Sequence, residues 1–192
     1  MRVNPGRLHE VRTERLDLDP MSLQFLEATL CQDPMRASAL LGAAVPSGWP
    51  DIPDVLSMRA HQLVASPELA PWLLRAMRER STGHFVGHIG FHTAPGPDYL
   101  DAYLPGGIEL GYTVFAPYRR RGYAREAVIG LIRWAHQAHG VTRFVVSVGP
   151  HNHASQRLAA SLGFVPIGRH VDEADGEEDV LGLDLGRTDP VW

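Results

Sequence analysis

The strongest constraint on the fold lies between residues 108 and 140, where the spacing of apolar side chains changes across a short basic loop. Ile108 to Phe115 alternates, with Ile108, Leu110, Tyr112 and Val114 on one face and Glu109, Gly111 and Thr113 on the other. That period of two predicts a β-strand whose faces have different tasks. From Ala124 onward the apolar positions are Ala127, Val128, Leu131, Ile132, Ala135 and Ala138, the stripe of an amphipathic helix that ends at Gly140. A strand feeding such a helix, followed by the β-branched run Phe144 to Val148, specifies a mixed α/β sheet.

The flanking sequence extends this pattern. Thr13 to Leu18 predicts a short strand, stopped at Pro20 before a helix over Ser22 to Leu30. Pro34, Pro46, Pro50 and Pro53 divide the next stretch into short helices, of which Asp54 to Val64 is the clearest. Trp72 to Met77 and Phe85 to Phe91 predict strands joined across Ser81-Thr82-Gly83, and a glycine- and proline-containing loop runs from Ala94 to Gly107. His153 to Leu162 predicts a second amphipathic helix, and Phe164 to Val171 with Val180 to Leu185 a final hairpin across an acidic loop. A chain of 192 residues with 44% hydrophobic content can bury one core, so a single domain over 1–192 is expected, with 1–11 as an N-terminal arm.

Composition narrows the chemistry. All 18 basic side chains are arginines, which excludes a Schiff-base lysine, lysine-anchored pyridoxal phosphate and a P-loop. Any anion site must therefore use guanidinium groups or main-chain N–H. The net charge of −4 argues against a general nucleic-acid binder, and six acids crowd into Asp172, Glu173, Asp175, Glu177, Glu178 and Asp179. A single cysteine, Cys31, excludes an intrachain disulfide and is expected as a small buried thiol of the first helix. The ten histidines include His84, His88 and His92 on one expected strand face and His136, His139, His151 and His153 around the later helices. None reproduces a zinc spacing, so no metal is expected. His88 or His92 is a candidate auxiliary base, because imidazole titrates near neutrality. The sequence shows neither a leader's apolar segment nor a membrane span, and a cytoplasmic location with no membrane partner is expected.

Between strand and helix lies Ala116-Pro117-Tyr118-Arg119-Arg120-Arg121-Gly122-Tyr123-Ala124. A helix N-terminus offers unpaired N–H groups and the positive end of a dipole, and Gly122 and Ala124 keep bulk off the backbone there. Pyrophosphate is the natural guest, and no G-x-G occurs to suggest a dinucleotide fold. The same run also reads as a solvated charge cluster or as a nucleic-acid patch.

Arg119 to Ala124 matches the Q/R-x-x-G-x-G/A signature of the GNAT N-acetyltransferases. Thr13-Glu14-Arg15-Leu16, Gly107-Ile108-Glu109-Leu110-Gly111-Tyr112, His151-Asn152-His153-Ala154-Ser155 and Ser161-Leu162-Gly163-Phe164 resemble the ribosomal-protein N-acetyltransferase (RimJ/RimL) branch, in order, from about residue 12 to 185. The resemblance implies a mixed, mostly antiparallel seven-stranded sheet with helices on both faces and a splayed parallel strand pair in the centre. It implies acetyl-CoA as cosubstrate, its pyrophosphate on Arg119, Arg120, Arg121, Gly122, Tyr123 and Ala124, and its pantetheine along Tyr112, Thr113 and Val114 with Asn152. Ser155 corresponds to a residue near the thioester sulfur, or it caps its helix. Glu109 is the candidate general base, directly or through water, its carboxyl raised towards neutrality by burial, or else the partner of a core arginine. Phe164 stands where a proton-donating tyrosine is common. The activity implied is direct acetyl transfer to a primary amine in a ternary complex, with a protein N-terminus or small amine as acceptor. A non-catalytic acyl-CoA-binding regulatory module is the alternative, and a homodimer is compatible with either. The acceptor pocket would fall to Met21 through Val64, around Trp49, and to the last hairpin.

Overall fold

The computed structural model describes residues 10–172 and 176–187, except for the side chain of Asp172. Residues 1–9 of the expected arm, and Glu173 and Asp175 of the acidic run, lie outside the described residues. The elements in chain order are β1 (Val11–Arg12), β2 (Leu16–Pro20), α1 (Leu23–Leu30), α2 (Pro34–Leu41), α3 (Pro53–Ala65), β3 (Arg75–Glu79) and β4 (Phe85–Phe91). They continue with β5 (Ile108–Val114), α4 (Tyr123–His139), β6 (Arg143–Val148), α5 (His153–Ser161), β7 (Val165–Asp172) and β8 (Gly176–Asp184). The strand order is β1-β2-β3-β4-β5-β6-β8-β7, a mixed α/β fold of mostly antiparallel strands with one parallel pair, β5 and β6. The eighth strand, against the seven expected, is the two-residue β1. Among the described residues no helix is long and apolar enough to cross a membrane.

Contacts divide the chain into two compact units, one of Met1–Gly90 with Tyr112–Leu131 and one of Phe91–Gly111 with Ile132–Trp192. In the first, β1 to β4 form an antiparallel series, with Leu16 opposite Glu79 and Arg75 opposite Ile89. The expected strand over Thr13 to Leu18 is instead two strands around a turn. Thr13 N–H reaches the Leu16 carbonyl at 2.9 Å, and its hydroxyl accepts from Leu16 N–H at 3.0 Å, so residues 13–15 reverse the chain. Val11, the last residue of the expected arm, is buried opposite Leu18. Likewise Trp72 to Leu74 precedes β3 without joining it, because Trp72 and Leu73 both hydrogen-bond back to Leu69.

Helix α1 starts where Ser22 Oγ accepts from Phe25 N–H, and it buries Phe25, Leu26, Ala28 and Thr29. Cys31 falls off that face at the C-cap and is exposed, contrary to the buried thiol expected. These side chains meet Leu56, Leu63, Leu73, Leu74, Ala76 and Phe85 in one apolar cluster, with Trp49 against Phe25, Phe85 and Phe115 at ring separations of 6.2, 5.1 and 6.0 Å. Arg75 is fully buried and donates to the Leu18 and Pro71 carbonyls at 2.9 and 2.6 Å. Burial lowers its guanidinium to about 10.

In the second unit Ile108 and Glu109 pair in parallel with Phe144 and Val145, while β8 runs antiparallel to both β6 and β7. Leu100, Val145 and Val180 centre one cluster, covered by Tyr103, Leu104 and Ile167. Strand β8 starts earlier than the sequence suggests. The acidic residues 177–179 are therefore strand residues, and Arg169 meets Asp179 at 2.7 Å and Glu177 at 3.4 Å across the hairpin.

One close approach within the first unit fixes the route of β5. A Cβ at Gly87 would lie 2.2 Å from the Thr113 carbonyl oxygen, so only glycine lets that strand pass. Gly87→Ala should therefore destabilise the protein by about 1–3 kcal/mol, seen as a fall in thermal midpoint of roughly 2–12 °C. An unchanged midpoint would show that β5 does not depend on this contact.

Candidate functional site

The first candidate region is the loop from β5 to α4. A single 3-10 turn, Ala116–Tyr118, leads to Arg119 in extended conformation. Arg120 and Gly122 then take positive φ values of 64° and 81°. Glycine adopts that region freely, whereas arginine is strained there. Helix α4 begins at Tyr123, and Glu126 N–H closes its first turn on the Gly122 carbonyl at 3.1 Å. The chain thus brings the N-terminus of a 17-residue helix beside three arginines, as the sequence predicts.

Two of those arginines turn back onto the loop. Arg119 Nε donates to the Val114 carbonyl at 2.9 Å, and Arg121 donates to the Pro117 carbonyl at 3.1 Å with its guanidinium 5.7 Å from the Tyr118 ring centre. Their charge remains at the loop while their N–H groups hold its shape. Arg120 is exposed.

A second set of residues holds the loop from behind; the sequence pattern picks out Thr13 and Arg15 within an opening motif and Tyr123 on the loop, but not Glu126 or Glu79, which join them. Glu126, in the first turn of α4, accepts from the Thr13 hydroxyl at 2.6 Å, from Arg15 N–H at 2.6 Å and from Arg15 Nε at 2.7 Å. Arg15 also donates to the Arg121 carbonyl at 3.0 Å and lies 4.7 Å from the Tyr123 ring centre. Tyr123 donates its hydroxyl to Glu79. Desolvation raises that hydroxyl's pKa, and the Glu79 carboxylate raises it further. The one available signal was a glutamate in a helix's first turn, where the dipole favours it.

The second region surrounds Glu109, which is buried at 6% exposure. Ser147 Oγ donates to its Oε1 at 2.5 Å, His92 Nδ1 faces its Oε2 at 3.3 Å, and the Tyr99 hydroxyl also bonds to it. Burial pushes this carboxyl up, but the hydrogen bond and charge of His92, with Ser147 and Tyr99, hold it below the ordinary value of 4.5. The expectation of a carboxyl raised towards neutrality is therefore corrected, as is its alternative, a core arginine partner. His92 N–H also donates to the Glu109 carbonyl at 2.9 Å, and a Cβ at Gly111 would lie 3.1 Å from His92 Nε2.

The remaining candidates separate. Asn152 caps α5, its side-chain oxygen accepting from Ser155 N–H at 3.2 Å, so Asn152 and not Ser155 is the capping side chain. Tyr112, Thr113 and Val114 form the half-exposed end of β5. His88 is buried in β4 with Nε2 3.4 Å from Asp51 and its ring 5.7 Å from Trp49, a histidine held in place by its neighbours. His92 lies beyond the end of that strand. Among the described residues no group of three or more His, Cys, Asp or Glu could hold a metal.

The order of strands, the parallel pair and the arginine loop together define an acetyltransferase fold. The chain belongs to the GNAT acetyltransferase family, since the profile described as "Acetyltransferase (GNAT) domain" matches residues 13–165. Among curated relatives it is 27% identical over 157 residues to the Bacillus subtilis (strain 168) protein YjdG, described as an uncharacterized N-acetyltransferase, covering 81% of this chain and 89% of that one. Among solved structures it is similar in fold to Mycobacterium smegmatis RimJ in complex with CoA-disulfide, at a TM-score of 0.63 and 17% identity over 97% of this chain and 92% of that one. The ribosomal-protein-S5-alanine acetyltransferase of Vibrio fischeri is also similar, at a TM-score of 0.57 and 16% identity, over 91% of this chain and 96% of that one.

The Glu126 contacts generate a prediction in pH. Desolvation raises the Glu126 carboxyl, but Thr13 and Arg15 outweigh it and hold the group below its ordinary 4.5, so its ionised form is the one that folding favours. Its contribution to stability is present above about 4.5 and is lost as pH falls through the folded-state value. Glu126→Gln should lower the denaturation midpoint at pH 7, with the deficit shrinking below pH of about 4.5. A deficit independent of pH would contradict the pairing.

Proposed function

We propose that this protein transfers the acetyl group of acetyl-CoA to a primary amine by direct attack in a ternary complex. Family membership supplies the reaction class, and the loop geometry carries the assignment of the coenzyme. Main-chain N–H groups at the start of α4 bind the pyrophosphate, with Arg119, Arg120 and Arg121 supplying charge and Gly122, Tyr123 and Ala124 the backbone. Tyr112, Thr113 and Val114 offer strand edges to the pantetheine amides, and a main-chain N–H among them polarises the thioester carbonyl. The Asn152 oxygen is occupied by its own helix, which leaves its amide N–H₂ as the donor to pantetheine.

The reaction asks for a base, an oxyanion donor and a proton for the departing sulfur. Glu109 organises the base of this step, directly or through a group it holds, and Ser155 or an ordered water returns the proton to sulfur. Cys31, an exposed residue at the end of α1, is not needed as a covalent carrier when the amine attacks directly. A protein N-terminal amine, with a pKa near 7.7–8.0, needs less help from a base than a lysine near 10.4. The name of the Vibrio fischeri structure, a ribosomal-protein-S5-alanine acetyltransferase, supports a protein N-terminus as the first acceptor class to test.

The test is coenzyme A binding by calorimetry, together with free-thiol release from acetyl-CoA over a panel of peptides and small amines. The wild type should bind and release thiol with at least one acceptor. Gly122→Val, strained at its φ of 81°, should weaken coenzyme A binding at least tenfold. Binding without thiol release across the panel favours the regulatory-module reading. Nucleic-acid binding that coenzyme A does not displace would overturn the assignment of the loop.

A further inference from the structure

We propose that His92, not Glu109, takes the proton from the acceptor amine, and that Glu109 is a positioning residue acting through the imidazole. The inference rests on the acetyltransferase reading above and assigns its base.

The geometry points away from a direct role for Glu109. Its side chain is 8% exposed, Ser147 occupies one oxygen at 2.5 Å, and His92 faces the other at 3.3 Å, with Tyr99 donating as well. A general base needs a lone pair within hydrogen-bond reach of the substrate proton, and three protein donors already take three of the roughly four lone-pair sites of this buried carboxylate. The His92 side chain is 42% exposed, so its ring reaches solvent where the carboxylate does not.

The ring is held in one orientation. Its backbone N–H is fixed on the Glu109 carbonyl at 2.9 Å, and its Nδ1 faces the Glu109 carboxylate. A carboxylate can only accept, so Nδ1 carries the hydrogen and Nε2 keeps the lone pair. Glu109 and Gly111 are two apart on β5 and share a face. The imidazole spans that face, with Nδ1 at the carboxylate and Nε2 3.1 Å from where a Cβ of residue 111 would stand. Glycine at 111 is what leaves room for the ring. The groups that face the pair include Tyr99 from the turn at 98–100 and Ser147 from β6.

The acceptor arrives as an ammonium ion, and His92 Nε2 takes one proton, leaving a neutral amine. The amine lone pair forms the N–C bond to the thioester carbonyl carbon, whose π electrons move to oxygen. As the carbonyl reforms, the C–S bond breaks, the thiolate leaves with that electron pair, and the second nitrogen proton goes to sulfur. The products are the amide, the coenzyme thiol and an imidazolium that returns its proton to water.

The test is the pH profile of kcat/KM for thiol release by wild type, His92→Gln, His92→Ala, Glu109→Gln and Glu109→Asp, with coenzyme A affinity and thermal midpoint measured on each. Removal of the imidazole should cost about 10²–10⁴-fold in kcat/KM and abolish the ascending limb of the profile, with coenzyme affinity within twofold of wild type. Added imidazole should restore part of the turnover of His92→Ala. Glu109→Gln should lower kcat while keeping the limb, and Glu109→Asp should recover part of the loss. If folded His92→Gln keeps the wild-type rate and profile, the base assignment falls while the enzyme reading stands. If Glu109→Gln alone loses the limb, the carboxylate is the base. Absence of thiol release by the wild type itself overturns both readings.

Discussion

A carboxylate taken out of water must be met by donors, because an unpaired buried charge costs several kcal/mol. In each of the two compact units one such acid organises its surroundings. In the first, Glu126 gathers Thr13 and Arg15, which turns the chain between β1 and β2 and fastens that turn to the start of α4. In the second, Glu109 gathers His92, Tyr99 and Ser147, so that the chain before β5, the strand itself and β6 converge on one side chain. The hydrogen-bond demands of two acids thus fix the loop and the imidazole on which the proposed chemistry depends.

The absence of lysine gains a structural meaning in this light. Arg119 and Arg121 each hold a carbonyl of their own loop and still present a delocalised cation to whatever approaches. Arg15 bridges a carboxylate, a carbonyl and an aromatic face at once. A planar guanidinium with five donors does this; an ammonium is a compact point charge without that planar fork. Arg75 extends the pattern into the interior, where it donates to two carbonyls.

Much of the fold was legible because it is written in local periodicity. The stripe through Ala127, Leu131 and Ala135 and the alternation through Ile108, Leu110 and Tyr112 both survive as α4 and β5. The loop between them was legible too, since its arginines and Gly122 are contiguous. What the pattern could not show are relations between distant residues. Thr13 to Leu18 alternates well enough for a strand, yet a hydroxyl-to-amide bond makes its first half a turn. The burial of Glu109 is readable from β5, whereas Ser147 and Tyr99 reach it from segments with no sequence link to it. Cys31 missed the core by its angular position on α1, and Asn152 took the cap that Ser155 was equally suited to fill.

The left-handed backbone at Arg120 carries a consequence for how such a chain evolves. A glycine would adopt that φ of 64° without strain, while arginine carries roughly 1–3 kcal/mol of it. Foldability and charge therefore compete at a single position: the residue best for the backbone offers the ligand nothing, and the residue best for an anion resists the required shape. Neighbours that over-determine the loop, Arg15 and Glu126 foremost, let the charged residue persist. Loss of those supports would favour glycine at 120.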